Sequence, residues 1–246
     1  MKAAPEVQKR LLDLAELDSA LDRLAHRRRT LPELAEIDEQ SKRYAKLATE
    51  VIEAETEAGD LARDQSKAEA DVDTVRTRIE RDQKRLDSGA VSSARDLAGL
   101  QSEIASLHKR QGDLEEVVLE IMERREAADA RVTDLLTRRD EVRTTLSEAE
   151  SRRDTLLADL DKETAEVRSR RAAVAGEIPA DLLKLYEKLR DQYGVGAAML
   201  QAGRCQGCKV ALSIAEMNQI KAAAPDEVLR CEECRRILVR TPASGL

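Results

Sequence analysis

The sequence contains no Phe and no Trp, and Tyr44, Tyr186 and Tyr193 are the whole aromatic supply of its 246 residues. Each buried aromatic removes roughly 150–250 Å² from water, so a chain this poor in them is ill suited to one thick globular core. The same shortage disfavours surfaces that bind nucleic acid by stacking bases on rings. No apolar run approaches the ~20 residues that span a bilayer. Met1-Lys2-Ala3-Ala4-Pro5-Glu6 passes straight into charged residues and offers no signal-peptide core. Histidine occurs only at His26 and His108, both beside heptad seams in charged surroundings that imply a solvated face. There is no phosphate loop, nucleophile motif or convergent carboxylate pair. Neither catalysis nor a small-molecule substrate is expected, and a cytoplasmic protein without membrane association is.

What the chain does have is charge, at 37% of residues, and a heptad repeat. Alternating steps of three and four from Leu97 to Val174 visit 23 positions, of which 17 are apolar; the exceptions are Gln111, Arg125, Arg139, Arg153, Glu163 and Arg170. A sustained 3.5-residue period is the pattern of a left-handed coiled coil. The same period runs less cleanly through Leu47, Val51, Ala54, Ala58, Leu61, Gln65, Ala68, Val72, Val75 and Ile79, and earlier through Leu14, Leu17, Leu21, Leu24 and Leu31. Pro32 interrupts the phase and predicts a bend, because proline removes a helix hydrogen bond.

Asp87-Ser88-Gly89 is a helix stop, and Ser93 with Asp96 has the form of a capping box for the next helix. The arms on either side, residues 5–87 and 94–176, are each 83 residues long, or about 125 Å as helix. Equal arms around one turn predict an antiparallel hairpin. The predicted pairing sets Leu86 against Leu97, Ile79 against Ile104, Val72 against Gln111 and Ala58 against Arg125. Arg125, Arg139 and Arg153 then read as register-setting seam residues paired with first-arm carboxylates. Gly176 and Pro179 end the hairpin and start a short helix with Leu182, Leu183, Tyr186 and Leu189 on one face, closed by a Gly194–Gly196 joint.

All four cysteines lie in the last 42 residues, as Cys205-Gln206-Gly207-Cys208 and Cys231-Glu232-Glu233-Cys234. Two C-x-x-C turns facing each other make a closed tetrahedral site for one structural Zn²⁺, with no coordination position open for catalysis. A redox dithiol is the competing reading of the same residues. Ser213 to about Ala223 reads as a capped helix between the pairs. Ala198–Leu200, Val210–Leu212, Val228–Arg230 and Ile237–Arg240 read as short strands. The expected fold is thus mainly α: a long antiparallel coiled-coil hairpin over 1–176 with its turn at 88–93, a docking helix and joint over 177–196, and a Cys₄ zinc ribbon with a helical insert over 197–246.

Gly203-Arg204-Cys205-Gln206-Gly207-Cys208, the helix around Asn218, and Cys231-Glu232-Glu233-Cys234-Arg235-Arg236-Ile237-Leu238 resemble the bacterial coiled-coil and C4-type zinc-ribbon family. Ser88-Gly89-Ala90-Val91 and the segment from Leu97 to Glu123 resemble that family's hairpin tip. The resemblance covers essentially the whole chain and implies that Cys205, Cys208, Cys231 and Cys234 are zinc ligands and that the protein binds nucleic acid. One departure stands out. Lys209 and Arg235 occupy the positions after the second cysteine of each pair, where such knuckles often carry glycine.

Residues 197–246 hold seven Lys/Arg against five Asp/Glu, net +2; the first 196 hold 35 against 44, net −9. Positive charge is therefore gathered on the ribbon. Arg204, Lys209, Arg230, Arg235, Arg236 and Arg240 are candidate phosphate contacts for RNA or DNA. They are equally candidates for offsetting the negative charge of a zinc tetrathiolate. The alternative function is a protein–protein adaptor, or chaperone-like regulator of a transcription or secretion partner, working through the coiled coil.

Overall fold

The computed structural model describes residues 1–91 and 93–246; Ser92, part of the expected turn at 88–93, lies outside the described residues. The elements run α1 (Pro5–Arg29), α2 (Pro32–Asp87), α3 (Ala94–Gly176), α4 (Ala180–Tyr193), β1 (Ala197–Gln201), β2 (Arg204–Cys205), α5 (Ile214–Ala222), β3 (Leu229–Arg230) and β4 (Ile237–Val239), with a 3₁₀ turn at Pro242–Ser244. The fold is a long helical hairpin followed by a small strand-containing ribbon. No helix among the described residues is long and apolar enough to cross a membrane. Packing divides the chain into two compact units, residues 35–150 and residues 1–34 with 151–246.

The first unit is hairpin alone. Gly89 adopts the left-handed φ of 67° that lets α2 stop. Ser93 precedes α3, and its carbonyl accepts from the Leu97 N–H at 3.0 Å. Leu47, Val51 and Ala54 pack with Leu135 and Val142, and Val75 and Ile79 pack with Leu107. The predicted pairing needs correction in the middle of the hairpin. Arg125 donates to the Gln65 side chain at 3.1 Å, one heptad from the expected Ala58. A shift of seven residues leaves every seam residue in the seam, so periodicity alone cannot choose between the two registers. Among the seam arginines, Arg125 meets an amide across the hairpin where a carboxylate was expected. Arg139 bonds Asp140 of its own helix, with the first-arm carboxylate of Glu55 close enough to help hold its charge, and Arg153 bonds Asp154.

In the second unit, the predicted bend at Pro32 is a full break. Thr30 and Leu31 are non-helical, and the Thr30 N–H closes α1 on the His26 and Arg27 carbonyls. Proline disfavours helical backbone at the residue before it and suits the first position of a new helix. Leu17, Leu24 and Leu31 pack with Leu160 and Val167 of α3.

The other stripe of α1 has a different neighbour. Leu11 and Leu14 join Ile178, Leu182, Tyr186, Leu189, Ala197, Ile237 and Val239 in a core shared by α1, α4 and the ribbon sheet. Ahead of α1, the Ala3 N–H donates to the Asp226 carbonyl at 2.7 Å and the Val228 N–H to the Met1 carbonyl at 3.1 Å. Buried Gln8 donates to the carbonyls of Ala3, Pro225 and Glu227. The chain start is thereby stitched to the ribbon. The Gly194–Gly196 joint is also tightly held. A Cβ at Gly196 would lie 2.4 Å from the Tyr186 carbonyl oxygen, and Arg236 donates to the carbonyls of Val195 and Tyr193.

The sheet order is β2-β1-β4-β3, with β1 and β4 parallel and the outer pairs antiparallel. The expected strand at Val210–Leu212 is reduced to one bridge between Ala211 and Arg204, because residues 206–209 are taken up by the metal-binding turn.

Candidate metal centre

Each cysteine pair sits in a tight turn, and the two turns repeat the same backbone bonds. In the first, the Lys209 N–H donates to the Cys205 carbonyl at 2.8 Å and the Cys205 N–H to the Val210 carbonyl at 3.0 Å. In the second, Arg235 donates to Cys231 at 2.9 Å and Cys231 to Arg236 at 3.0 Å. Both turns close through left-handed backbone, with φ of 64° at Lys209 and 61° at Arg235. The knuckle geometry is therefore present without glycine, at a cost of roughly 1–2 kcal/mol for each L-residue so placed.

The turns bring the four sulfurs of Cys205, Cys208, Cys231 and Cys234 within 4.8 Å of one another. Cys205 and Cys234 sulfurs are 3.7 Å apart, and those of Cys208 and Cys231 are 3.9 Å apart. A regular tetrahedron with Zn–S bonds of 2.3 Å has edges of about 3.8 Å, whereas a disulfide needs about 2.05 Å. The cage fits one tetrahedral ion of zinc's size. Its walls are apolar: Ala198, Leu200, Ile220 and Leu238 pack around buried Cys205 and Cys231.

Burial pushes the Cys205 thiol up, against the N–H groups of Cys208 and Gly207 that favour its thiolate. Burial pushes Cys231 up to about 12, against the N–H groups of Cys234 and Glu233. At Cys234 burial acts the same way, but bonds from the Arg236 backbone and side chain, together with those involving Cys231 and Cys205, bring the thiol below its ordinary range. Apolar walls that resist bare charge, lined by N–H donors aimed at sulfur, suit thiolates neutralised by a soft cation.

Residues 14–194 match the CT398-like coiled coil hairpin domain, and residues 204–238 match the C4-type zinc ribbon domain. The chain belongs to the CT398-like hairpin family. A protein of Mycobacterium tuberculosis is 38% identical over 240 residues, covering 98% of each chain. A solved structure from Mycobacterium smegmatis shares 38% identity with a TM-score of 0.87, covering 98% of this chain and all of that one. The structure of CT398 from Chlamydia trachomatis shares the fold at 19% identity, with a TM-score of 0.69 and coverage of 96% and 98%. The C4-type match supports the zinc reading of the two C-x-x-C pairs over the dithiol one, with the four sulfurs positioned to bind one structural ion.

The six basic ribbon residues separate into two groups. Arg240 donates to the carbonyls of Ile220, Ala223, Ala224, Pro225 and Glu227. Arg236 is held by two carbonyls and lies over the Tyr193 ring at 5.6 Å. Arg230 donates to the Arg235 carbonyl at 2.8 Å. The Arg236 and Arg240 guanidiniums brace the ribbon, whereas Arg230 is held through Nε alone and stays exposed. Arg204, Lys209 and Arg235 are exposed beside the cysteine turns.

Sequence reasoning missed a buried ionic cluster. Asp18, fully buried, accepts from Arg171 at 2.5 Å and from the Tyr186 hydroxyl at 2.6 Å, with Arg190 3.1 Å away. Arg171 also bonds Glu187 at 2.7 Å. The Asp18 bond raises the Arg171 pKa, and burial first, then Asp18, raises that of Tyr186. The available signal was position: Asp18 follows Leu11 and Leu14 at spacings of seven and four, on the apolar stripe of α1.

Proposed function

We propose that this chain is a non-catalytic zinc-binding adaptor whose ribbon contacts the phosphate backbone of RNA or DNA. The observation that carries the reading is the pair Lys209 and Arg235. Both are exposed cations, both adopt left-handed backbone, and both occupy the same place in the two metal-binding turns. Glycine would relax each turn, and strained residues concentrate where a side chain has a task. Arg204 adds a third exposed cation. Offsetting the tetrathiolate charge is the competing task, and the two make opposite forecasts.

The test is Lys209→Gly with Arg235→Gly in the full chain. Phosphate contact predicts unchanged zinc content and weaker retention of a mixed-sequence single-stranded RNA, with the salt slope of binding reduced by about 1.4. Charge compensation predicts zinc loss in the variant, with no change in nucleic-acid retention. Wild-type protein that retains neither RNA nor DNA at low salt would end the proposal.

A further inference from the structure

Residues 108–127 of α3 contain no fully buried side chain, although the heptad seam passes through them at Gln111, Leu114, Val118, Ile121 and Arg125. Seam residues on both sides of the stretch, Ile104, Leu107, Ala128 and Leu135, are buried. Opposite Ile121 and Arg125, the α2 seam between Leu61 and Val72 offers only Gln65 and Ala68. Nearer the turn, Leu114 is partly buried against Val75, Ile79 and Leu107.

The apolar surface also runs past the seam. Val117, Leu119 and Met122 are 44%, 59% and 45% exposed. At about 100° per residue, Val117, Ile121, Leu114, Val118, Met122 and Leu119 spread over about 200° of the helix circumference. A two-stranded coiled coil needs only a narrow stripe. A helix apolar over so wide an arc has room for a second neighbour.

Charge identifies that neighbour's chemistry. Residues 111–123 carry Asp113, Glu115, Glu116, Glu120 and Glu123 and no Lys or Arg. Glu115 faces Arg76 at 3.5 Å, whereas Glu116, Glu120 and Glu123 have no ion pair among the described residues. Two copies of this face brought together would oppose their carboxylates, which disfavours self-pairing. The geometry points to a docking surface for an amphipathic helix of a protein partner, its apolar stripe flanked by lysines or arginines. This goes beyond the ribbon's nucleic-acid reading and stands without it.

The test uses the full chain and a fluorescent helical peptide of leucine and lysine with leucine at i, i+3, i+4 and i+7. A control peptide has the same composition shuffled to remove the stripe. At physiological salt the striped peptide binds, and the shuffled one binds about tenfold more weakly or worse. Leu119→Gln with Met122→Gln weakens the striped peptide by about tenfold or more at unchanged helix content. Glu116→Lys with Glu120→Lys and Glu123→Lys weakens it as well, a separate check that removes no apolar contact. Absence of striped-peptide binding, equal binding of the two peptides, or indifference to the Leu119 and Met122 changes overturns the proposal. So does a concentration-dependent dimer in sedimentation that Leu119→Gln with Met122→Gln abolishes, since that assigns the face to a second copy.

Discussion

Replacing Asp18 with alanine should be among the most damaging single changes available in the unit that carries the ribbon. The carboxylate is fully buried, while the Arg171 and Arg190 side chains beside it keep 18% and 27% of their exposure. Deleting one partner of a buried ion pair costs about 3–5 kcal/mol, because the remaining charge is left without compensation. Glu187, 2.7 Å from Arg171 and 3.8 Å from Arg190, retains part of that compensation. The loss for Asp18→Ala is therefore expected near the lower bound, about 3 kcal/mol. Asp18→Asn keeps an acceptor for Tyr186 and the shape of the side chain, so about 1–2 kcal/mol is expected. Asp18→Leu combined with Arg171→Met and Arg190→Leu removes both charge signs and should be milder than Asp18→Ala alone. Urea unfolding followed by helix signal and tyrosine emission measures all three. A loss below about 1 kcal/mol for Asp18→Ala, or a triple variant worse than the single one, would refute the ionic account.

Other changes test other parts of the fold. Gly196→Ala sets a methyl group against the Tyr186 carbonyl and ring; a loss of about 1–3 kcal/mol is expected in thermal unfolding, and an unchanged midpoint would contradict the packing. Stripping the metal with a strong chelator should speed amide exchange at β1, β4 and the two cysteine turns, because the ribbon core is built around Cys205 and Cys231. Exchange in residues 35–150, a separate compact unit, should stay as it was, and parallel loss there would argue against that division. Ser213→Ala removes the cap hydroxyl that accepts from the Glu216 N–H at 3.2 Å. About 1 kcal/mol of α5 stability should go with it, read as faster exchange confined to Ile214–Ala222.

Much of the architecture could be read before any coordinates, for identifiable reasons. The heptad from Leu97 to Val174 repeats so often that α3 admits no other reading. Gly89 and the C-x-x-C pairs are local signals whose geometry does not depend on distant residues. The capping box at Ser213 belongs to the same class, since its two bonds span three residues. Register belongs to another class. Arg125 meets Gln65, and a one-heptad slip alters no residue's place in the pattern. The braces formed by Arg236 and Arg240 were equally hidden, because an arginine bound to backbone carbonyls looks in sequence like one turned to phosphate.

The role of α1 shows why the remaining gap is physical rather than accidental. Leu14 and Leu17 both fit a heptad, yet Leu14 enters the core with Tyr186 and Ile237 while Leu17 packs on Leu160 and Val167. A helix touching two neighbours carries two apolar stripes, and in sequence they merge into one dense repeat. Asp18 marks the division: buried Asp82 of α2 is met by Arg78 and Arg81 of its own helix, whereas Asp18 is met by Arg171 from α3 with Tyr186 and Arg190 from α4. The same reasoning applies to the 111–123 stretch of α3, where an arc of apolar residues exceeds what one neighbour can cover. In α1 the second neighbour lies within the chain; at exposed Leu119 and Met122 the proposed docked helix would take that place.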